Sequence, residues 1–258
     1  MVKVILHGCG GKMCRMVSEM CETDTEISVV AGVDISGQGA GDYPVFKNIE
    51  DCDIPADVMI DFSDASAVDG LLDYCMVKHL PVVLCTTGLS PVQFNHVRKA
   101  ANETAVLHSS NMTLGINLLM KLVKESAKIL AAAGFDIEIV EKHHNQKLDA
   151  PSGTAIALAD IIDDELGSEL DYVYDRSQKR EPRSKKEIGI SAVRGGTIVG
   201  DHDVIFAGED EVITFSHRAY SKAVFAKGAI QAAKFLADIT SNSDYNIGLY
   251  SMSDVIDE

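Results

Sequence analysis

Residues 2–6 (VKVIL) are apolar except for Lys3 and read as a short buried strand. A glycine-rich turn follows, then a helical spacing that runs through Cys21. Residues 27–34 (ISVVAGVD) predict a second buried strand ending in an acid, and 57–61 (DVMID) a third. A helical stretch through His79 leads to another apolar strand at 81–85 (PVVLC). Strands alternating with helices in this way predict right-handed βαβ units and a parallel sheet. From Thr113 to Ala133 runs a long helix without proline, with Leu114, Leu118, Leu119, Leu122 and Ile129 as its expected apolar face.

The texture then changes. Residues 135–144 (FDIEIVEKHH) alternate apolar and polar, as a strand with one covered face does. A helix is expected from Thr154 to about Leu166, then strands at 188–194, 203–207 and 211–217. A last helix over 221–238 ends at a polar turn, 241–244. The expected fold is α/β: an N-terminal Rossmann-type dinucleotide-binding domain and a second α+β domain built on an open mixed sheet. The basic segment 176–187 (RSQKREPRSKKE) reads as a solvated loop, mobile or touching a neighbouring subunit.

Composition is that of a globular protein, 46% hydrophobic and 24% charged over 258 residues. Charge narrows the function. At −16, the chain repels nucleic acid and anionic membrane, so any anion site must be built locally. No apolar run approaches a membrane span and no secretory leader is visible, so a cytoplasmic location is expected. Cys9, Cys14, Cys21, Cys52, Cys75 and Cys85 form no CxxC pair and no zinc spacing, so buried free thiols are expected and no metal.

Two segments carry chemistry. Gly8-Cys9-Gly10-Gly11-Lys12-Met13 lies between a strand and a helix, where glycines permit the turn and backbone N–H groups meet a diphosphate. The sixth position of the usual glycine pattern is Met13, so the loop gains its meaning from context. Asp34 ends the second strand, where a carboxylate would bind a ribose. It would repel a 2′-phosphate, and Ile35 offers no compensating cation. NADH is therefore the expected cofactor, with Lys12 leaving room for NADPH.

The second segment, 141–155, reads EKHHNQKLDAPSGTA. Pro151 and Ser152 suit a helix entrance whose N–H groups can hold a carboxylate. Lys147 adds a cation. His143 and His144 point to opposite sides of an extended backbone, so one can face a ligand while the other braces it. Histidine exchanges protons near neutral pH, as a general acid must. Taken singly, each residue has a structural explanation; together within one short segment they point to a gripped dianion and a proton donor.

The segment 141–155 closely resembles the signature of the 4-hydroxy-tetrahydrodipicolinate reductase (dihydrodipicolinate reductase) family. The resemblance extends over the whole chain. Ile60-Asp61-Phe62-Ser63 and Thr86-Thr87-Gly88 look like its strand-end motifs beside the nicotinamide ribose, and residues 109–115 (SSNMTLG) like its interdomain segment. It implies NAD(P)H-dependent reduction of a cyclic dianion to tetrahydrodipicolinate in lysine and diaminopimelate biosynthesis. It implies His143 as acid/base residue, Lys147 as helper in proton delivery, His144 as substrate contact, and the Gly153 and Thr154 amides as carboxylate ligands. Gly8, Gly10, Gly11, Lys12, Met13, Asp34, Phe62, Thr86, Thr87, Gly88, Asn111 and Met112 would bind the cofactor.

The resemblance also implies a homotetramer assembled through the second domain, and domains at 1–112 with 219–258 and at 113–218. Cys14 departs from the family's usual glycine; it is expected to tighten helix–sheet packing and bring a thiol toward the cofactor. A redox-sensing binding protein would have no use for the His-His-Lys cluster. Another two-domain dehydrogenase would share the fold but not the segment 141–155.

Overall fold

The computed structural model describes residues 1–241 and 246–257. The polar turn expected at 241–244 lies, beyond Ser241, outside the described residues. The chain divides into two compact units, Met1–Leu114 with Ala223–Glu258, and Gly115–Lys222.

The first unit begins with β1 (Val2–His7), α1 (Lys12–Cys21), β2 (Ile27–Val33), the short β3 (Val45–Phe46), β4 (Val58–Asp61), α2 (Val68–Lys78), β5 (Val82–Leu84), α3 (Pro91–Ala100) and β6 (Ala105–His108). Strands β1, β4 and β5 are apolar through most of their length and almost wholly buried, as parallel strands covered on both faces must be. Helix α3 and strand β6 extend the expected pattern. The start of α3 carried a readable sign: Ser90 caps it, Pro91 occupies the first turn, and Gln93 completes a capping box.

The second unit follows: α4 (Leu114–Ala132, beginning at the boundary), β7 (Asp136–His143), α5 (Gly153–Glu165), β8 (Asp171–Val173), β9 (Glu187–Arg194), β10 (Gly200–Ala207) and β11 (Val212–Ala219). Its sheet runs β11-β10-β7-β9-β8. β10 is antiparallel to β7 and β11, while β7 and β8 run parallel to β9, so the sheet is mixed. Every second residue of β7 is buried, and Ile137 and Ile139 join Leu158, Ile162, Val204 and Phe206 in one core. Burying each such side chain contributes roughly 1.5–3 kcal/mol before the entropy cost. That alternation puts Glu141 and His143 on the same covered face as the core isoleucines.

The helix α4 corrects an expectation. Its buried face is Ile116, Asn117, Leu119, Met120, Val123 and Ala127. Of the expected apolar face only Leu119 is buried; Leu118, Leu122 and Ile129 are exposed. The helix carries apolar residues on two sides, and periodicity alone could not tell which side is covered. The basic loop 176–187 is likewise less free than its composition implies. Arg176 and Lys179 both pair with the buried Glu187 carboxylate, and Arg183 pairs with Asp136 and Glu138.

The chain then returns to the first unit as α6 (Ala223–Ser241), β12 (Gly248–Tyr250) and α7 (Met252–Asp257). Strand β12 pairs in parallel with β6, completing the order β12-β6-β5-β4-β1-β2-β3. Lys234 on α6 reaches Asp24 and Glu26, each at 2.8 Å, and ties the helix to the loop before β2.

Candidate functional site

In the first unit the turn after β1 is built for close approach. Gly8 sits at φ +79°, and a Cβ there would lie 2.9 Å from the Phe62 carbonyl oxygen. Gly11 caps α1 without any side-chain bond, leaving that helix start to backbone groups. Lys12, the first helical residue, is exposed. Asp34 accepts from the Gly10 N–H at 3.0 Å and from the Ser36 N–H at 2.9 Å and its hydroxyl at 2.5 Å. Partial burial pushes the Asp34 carboxyl up, but these donors outweigh it and hold it below the ordinary carboxylate range.

Gly8, Gly11, Asp34 and Phe62 line one cavity of about 460 Å3. A glycine turn, an uncapped helix start and an ionised carboxylate around one cavity suit a dinucleotide, so the residues fit the cofactor expected from the sequence. Met13 is packed against the sheet core, and Met112 is buried. Thr86 is buried at the end of β5, with Thr87 and the positive-φ Gly88 beyond it; Asn111 accepts from the Thr113 N–H. These six do not line the cavity.

Cys14, expected to bring a thiol toward the cofactor, does not line that cavity. It is fully buried, and its Sγ donates to the His7 carbonyl at 3.4 Å. Burial pushes its thiol far up, as it does for Cys75 on α2 and Cys85 just past β5. All six cysteines are free and buried.

In the second unit the end of β7 delivers His143 into a bonded frame. Its Nδ1 lies 2.6 Å from the Glu141 carboxylate. A carboxylate only accepts, so Nδ1 carries the proton and Nε2 is the nitrogen left for exchange. Arg194, the β9 residue paired in register with His143, grips both Glu141 oxygens at 2.7 Å. The Ser152 N–H supplies a fourth bond at 2.9 Å. Burial alone would raise the Glu141 carboxyl, but Arg194, His143 and the Ser152 N–H hold it below its usual range.

Ser152 also caps α5, accepting from the Ala155 N–H, so Gly153 and Thr154 form the first turn as expected. Lys147 reaches Asp149 at 2.8 Å. His144, the next residue along from His143, is partly exposed. Behind His143 stands His202, its ring edge-on at 5.3 Å and its Nε2 3.1 Å from the Ser152 hydroxyl. Burial, then the neighbouring His143, push His202 down to about 4, so it is neutral near pH 7.

The structure therefore adds Glu141, Arg194 and His202 to the residues read from the sequence, and gives Ser152, read there as a helix entrance, bonds to Glu141 and His202. Glu141 lay in plain view two positions before His143, on the same strand face by alternation. Arg194 and His202 come from strands far along the chain, and only the sheet register reveals them. Among the described residues no group of three or more His, Cys, Asp or Glu side chains is placed to hold a metal ion.

Fold and site together define a class: a two-unit oxidoreductase with a pyridine-nucleotide-binding Rossmann unit and a second unit carrying a basic, histidine-bearing loop. Residues 2–112 match "Dihydrodipicolinate reductase, N-terminus" and residues 115–256 match "Dihydrodipicolinate reductase, C-terminus". The chain belongs to the dihydrodipicolinate reductase family. It is 50% identical to a 4-hydroxy-tetrahydrodipicolinate reductase of Caldanaerobacter subterraneus subsp. tengcongensis, covering 99% of this chain and 98% of the relative. A protein of the same description from Clostridium tetani is 46% identical, over 98% of this chain and 96% of its own length. Among solved structures, the dipicolinate-bound dihydrodipicolinate reductase from Paenisporosarcina sp. TG-14 superposes with a TM-score of 0.78 at 26% identity, covering 97% of both chains. A probable dehydrogenase from Thermotoga maritima shares the fold at 11% identity, TM-score 0.60, over 99% of this chain and 92% of its own.

Proposed function

We propose that the chain reduces 4-hydroxy-tetrahydrodipicolinate to tetrahydrodipicolinate in lysine and diaminopimelate biosynthesis, with His143 as the acid that moves the proton. The observation that carries the assignment is the Glu141-bonded imidazole beside the capped start of α5. The ring loses one water, then accepts one hydride and one proton. NADH supplies the hydride when bound. The α5 N-terminus, through the Gly153 and Thr154 amides, holds one carboxylate of the dianion. His144 contacts the substrate. Lys147 moves from Asp149 toward the substrate and helps deliver the proton. His143 gives its proton from Nε2, while Glu141 fixes the tautomer through Nδ1.

NADH is the preferred cofactor, because the Asp34 carboxylate accepts from ribose hydroxyls and repels a 2′-phosphate. Asp34→Ala is expected to raise the NADPH-to-NADH ratio of kcat/KM by about tenfold; an unchanged ratio removes Asp34 from the assignment. The protein acts in the cytoplasm; no helix among the described residues is long and apolar enough to cross a membrane. It assembles as a homotetramer through the second unit. What supports this is the resemblance of residues 141–155 to the family signature, which implies the same assembly. Light scattering measures the assembly.

The decisive test is a coupled assay. An upstream aldol-type synthase makes the substrate in place, and oxidation of NADH or NADPH is followed. Synthase-dependent oxidation is expected. His143→Ala and Lys147→Ala should each lower kcat by roughly 10²–10⁴-fold while NADH affinity stays within error. Normal turnover in both variants would remove these residues from the mechanism.

A further inference from the structure

A second histidine stands in the cofactor cavity with no role so far. His7 ends β1, directly before the Gly8 turn, and lines the cavity together with Asp34 and Ser63. Its Nδ1 lies 2.7 Å from Asp61, whose side chain is fully buried. Asp61 is otherwise held by neutral donors: the Thr86 hydroxyl at 2.6 Å and the Ser63 N–H at 3.1 Å. Among the described residues His7 is the one basic side chain paired with Asp61. The carboxylate only accepts, so Nδ1 keeps its proton, and His7 Nε2 has no hydrogen-bond partner among the described residues.

We infer that His7 is a cofactor-binding residue that takes up a proton as the dinucleotide binds, its Nε2 donating to the diphosphate. The inference rests on the dinucleotide reading above and deepens it. Two negative groups would flank the ring: the Asp61 carboxylate on Nδ1 and the incoming diphosphate on Nε2. An imidazolium donates to both and balances charge that a neutral ring cannot. The other titratable groups lining the cavity are Asp34, Lys47, Glu50 and Asp64. Asp34 and Asp64 are both held ionised by their hydrogen-bond donors, so neither takes up the proton near neutrality. The Cys14 thiol, packed under β1, bonds the His7 carbonyl and stays protonated. The proton uptake is assigned to the imidazole because it is the group bonded to the buried Asp61 carboxylate while lining the cavity.

The test is calorimetric titration of the whole protein with NADH in two buffers of different ionisation enthalpy, between about pH 6 and pH 8. Expected is net proton uptake, with affinity rising roughly fivefold from the alkaline to the acid end. ADP-ribose should reproduce the uptake and adenosine should not. His7→Asn should bind NADH with no proton uptake and a flat pH dependence. Because that variant also disturbs Asp61, the His7 ring is followed in parallel by NMR of the isotope-labelled unaltered protein, and its signal should shift to the doubly protonated form on adding NADH. NADH binding without proton uptake, or a His7 signal indifferent to NADH, overturns the inference and leaves the cofactor reading intact. Absence of NADH binding at every pH overturns the cofactor reading itself.

Discussion

The molecule contains the same device twice, and the two copies differ in their counter-charge. In each unit an imidazole Nδ1 bonds a fully buried carboxylate near the end of a strand: His7 to Asp61 at 2.7 Å and His143 to Glu141 at 2.6 Å. Glu141 receives four hydrogen bonds, two of them from a guanidinium. Asp61 receives three, and apart from His7 its donors are neutral. With Arg194 in place, the Glu141 charge is balanced whether or not His143 is protonated. His143 can therefore give up and regain a proton without stranding a buried charge. Asp61 has no such reserve, so His7 is suited to holding a positive charge against a bound anion. On the reading proposed above, one frame serves turnover and the other serves binding.

The largest expected effect comes from removing that reserve. Arg194→Met leaves the buried Glu141 with His143 and the neutral Ser152 N–H, which makes the second unit resemble the first. Breaking such a pair costs about 3 kcal/mol, to be read from chemical denaturation. The pH dependence of the loss follows from sign. Glu141 is depressed in the native protein, so its stabilising contribution is full above the ordinary glutamate range and fades as pH falls through it. The destabilisation by Arg194→Met should therefore be largest near neutrality and shrink in acid. A loss that does not vary with pH would mean that Arg194 acts through packing, and the contrast between the two frames would collapse.

A smaller effect concerns the neighbour that only the second frame has. His202 is packed edge-on against His143 and is depressed to about 4. A histidine neutral when folded and free to charge when unfolded favours unfolding as pH falls below its unfolded value of about 6.5. The cost grows down to about pH 4 and amounts to at most about 3 kcal/mol. His202→Gln should flatten stability over that window while keeping a bond to Ser152. An unchanged pH profile would assign the acid sensitivity of this unit elsewhere.

How much of this was legible in the sequence depends on chain separation. The parallel sheet was readable because β1, β2, β4 and β5 are near-continuous apolar runs, and α5 because Ser152 announces its start. His143 and Lys147 stood within one segment. The frame around His143 was not readable, because Arg194 and His202 lie 51 and 59 positions beyond it and meet it only through the strand register. His7 was hidden for a different reason. It fell just past the strand read at 2–6, at the edge of the glycine turn, and its partner Asp61 stood in a motif read only for its place beside the nicotinamide ribose. The α4 face failed because apolar residues occupy both sides of that helix, and periodicity does not say which side is covered.

The smallest expected effect probes which nitrogen of His143 works. Gly200 faces it across the sheet, and a Cβ at that position would lie 3.1 Å from His143 Nε2. That is tight enough to push the ring aside by a few tenths of an ångström without breaking the Nδ1 bond to Glu141. If Nε2 transfers the proton, Gly200→Ala should lower kcat by about tenfold, because proton transfer depends steeply on the position of the donor. Affinity for NADH should hold, since the substitution lies in the second unit and the cofactor cavity in the first. His7 lines that cavity instead. His7→Asn should therefore change NADH affinity and Gly200→Ala should change turnover. If the two variants exchanged these signatures, the division of labour between the two histidine–carboxylate frames would have to be reversed.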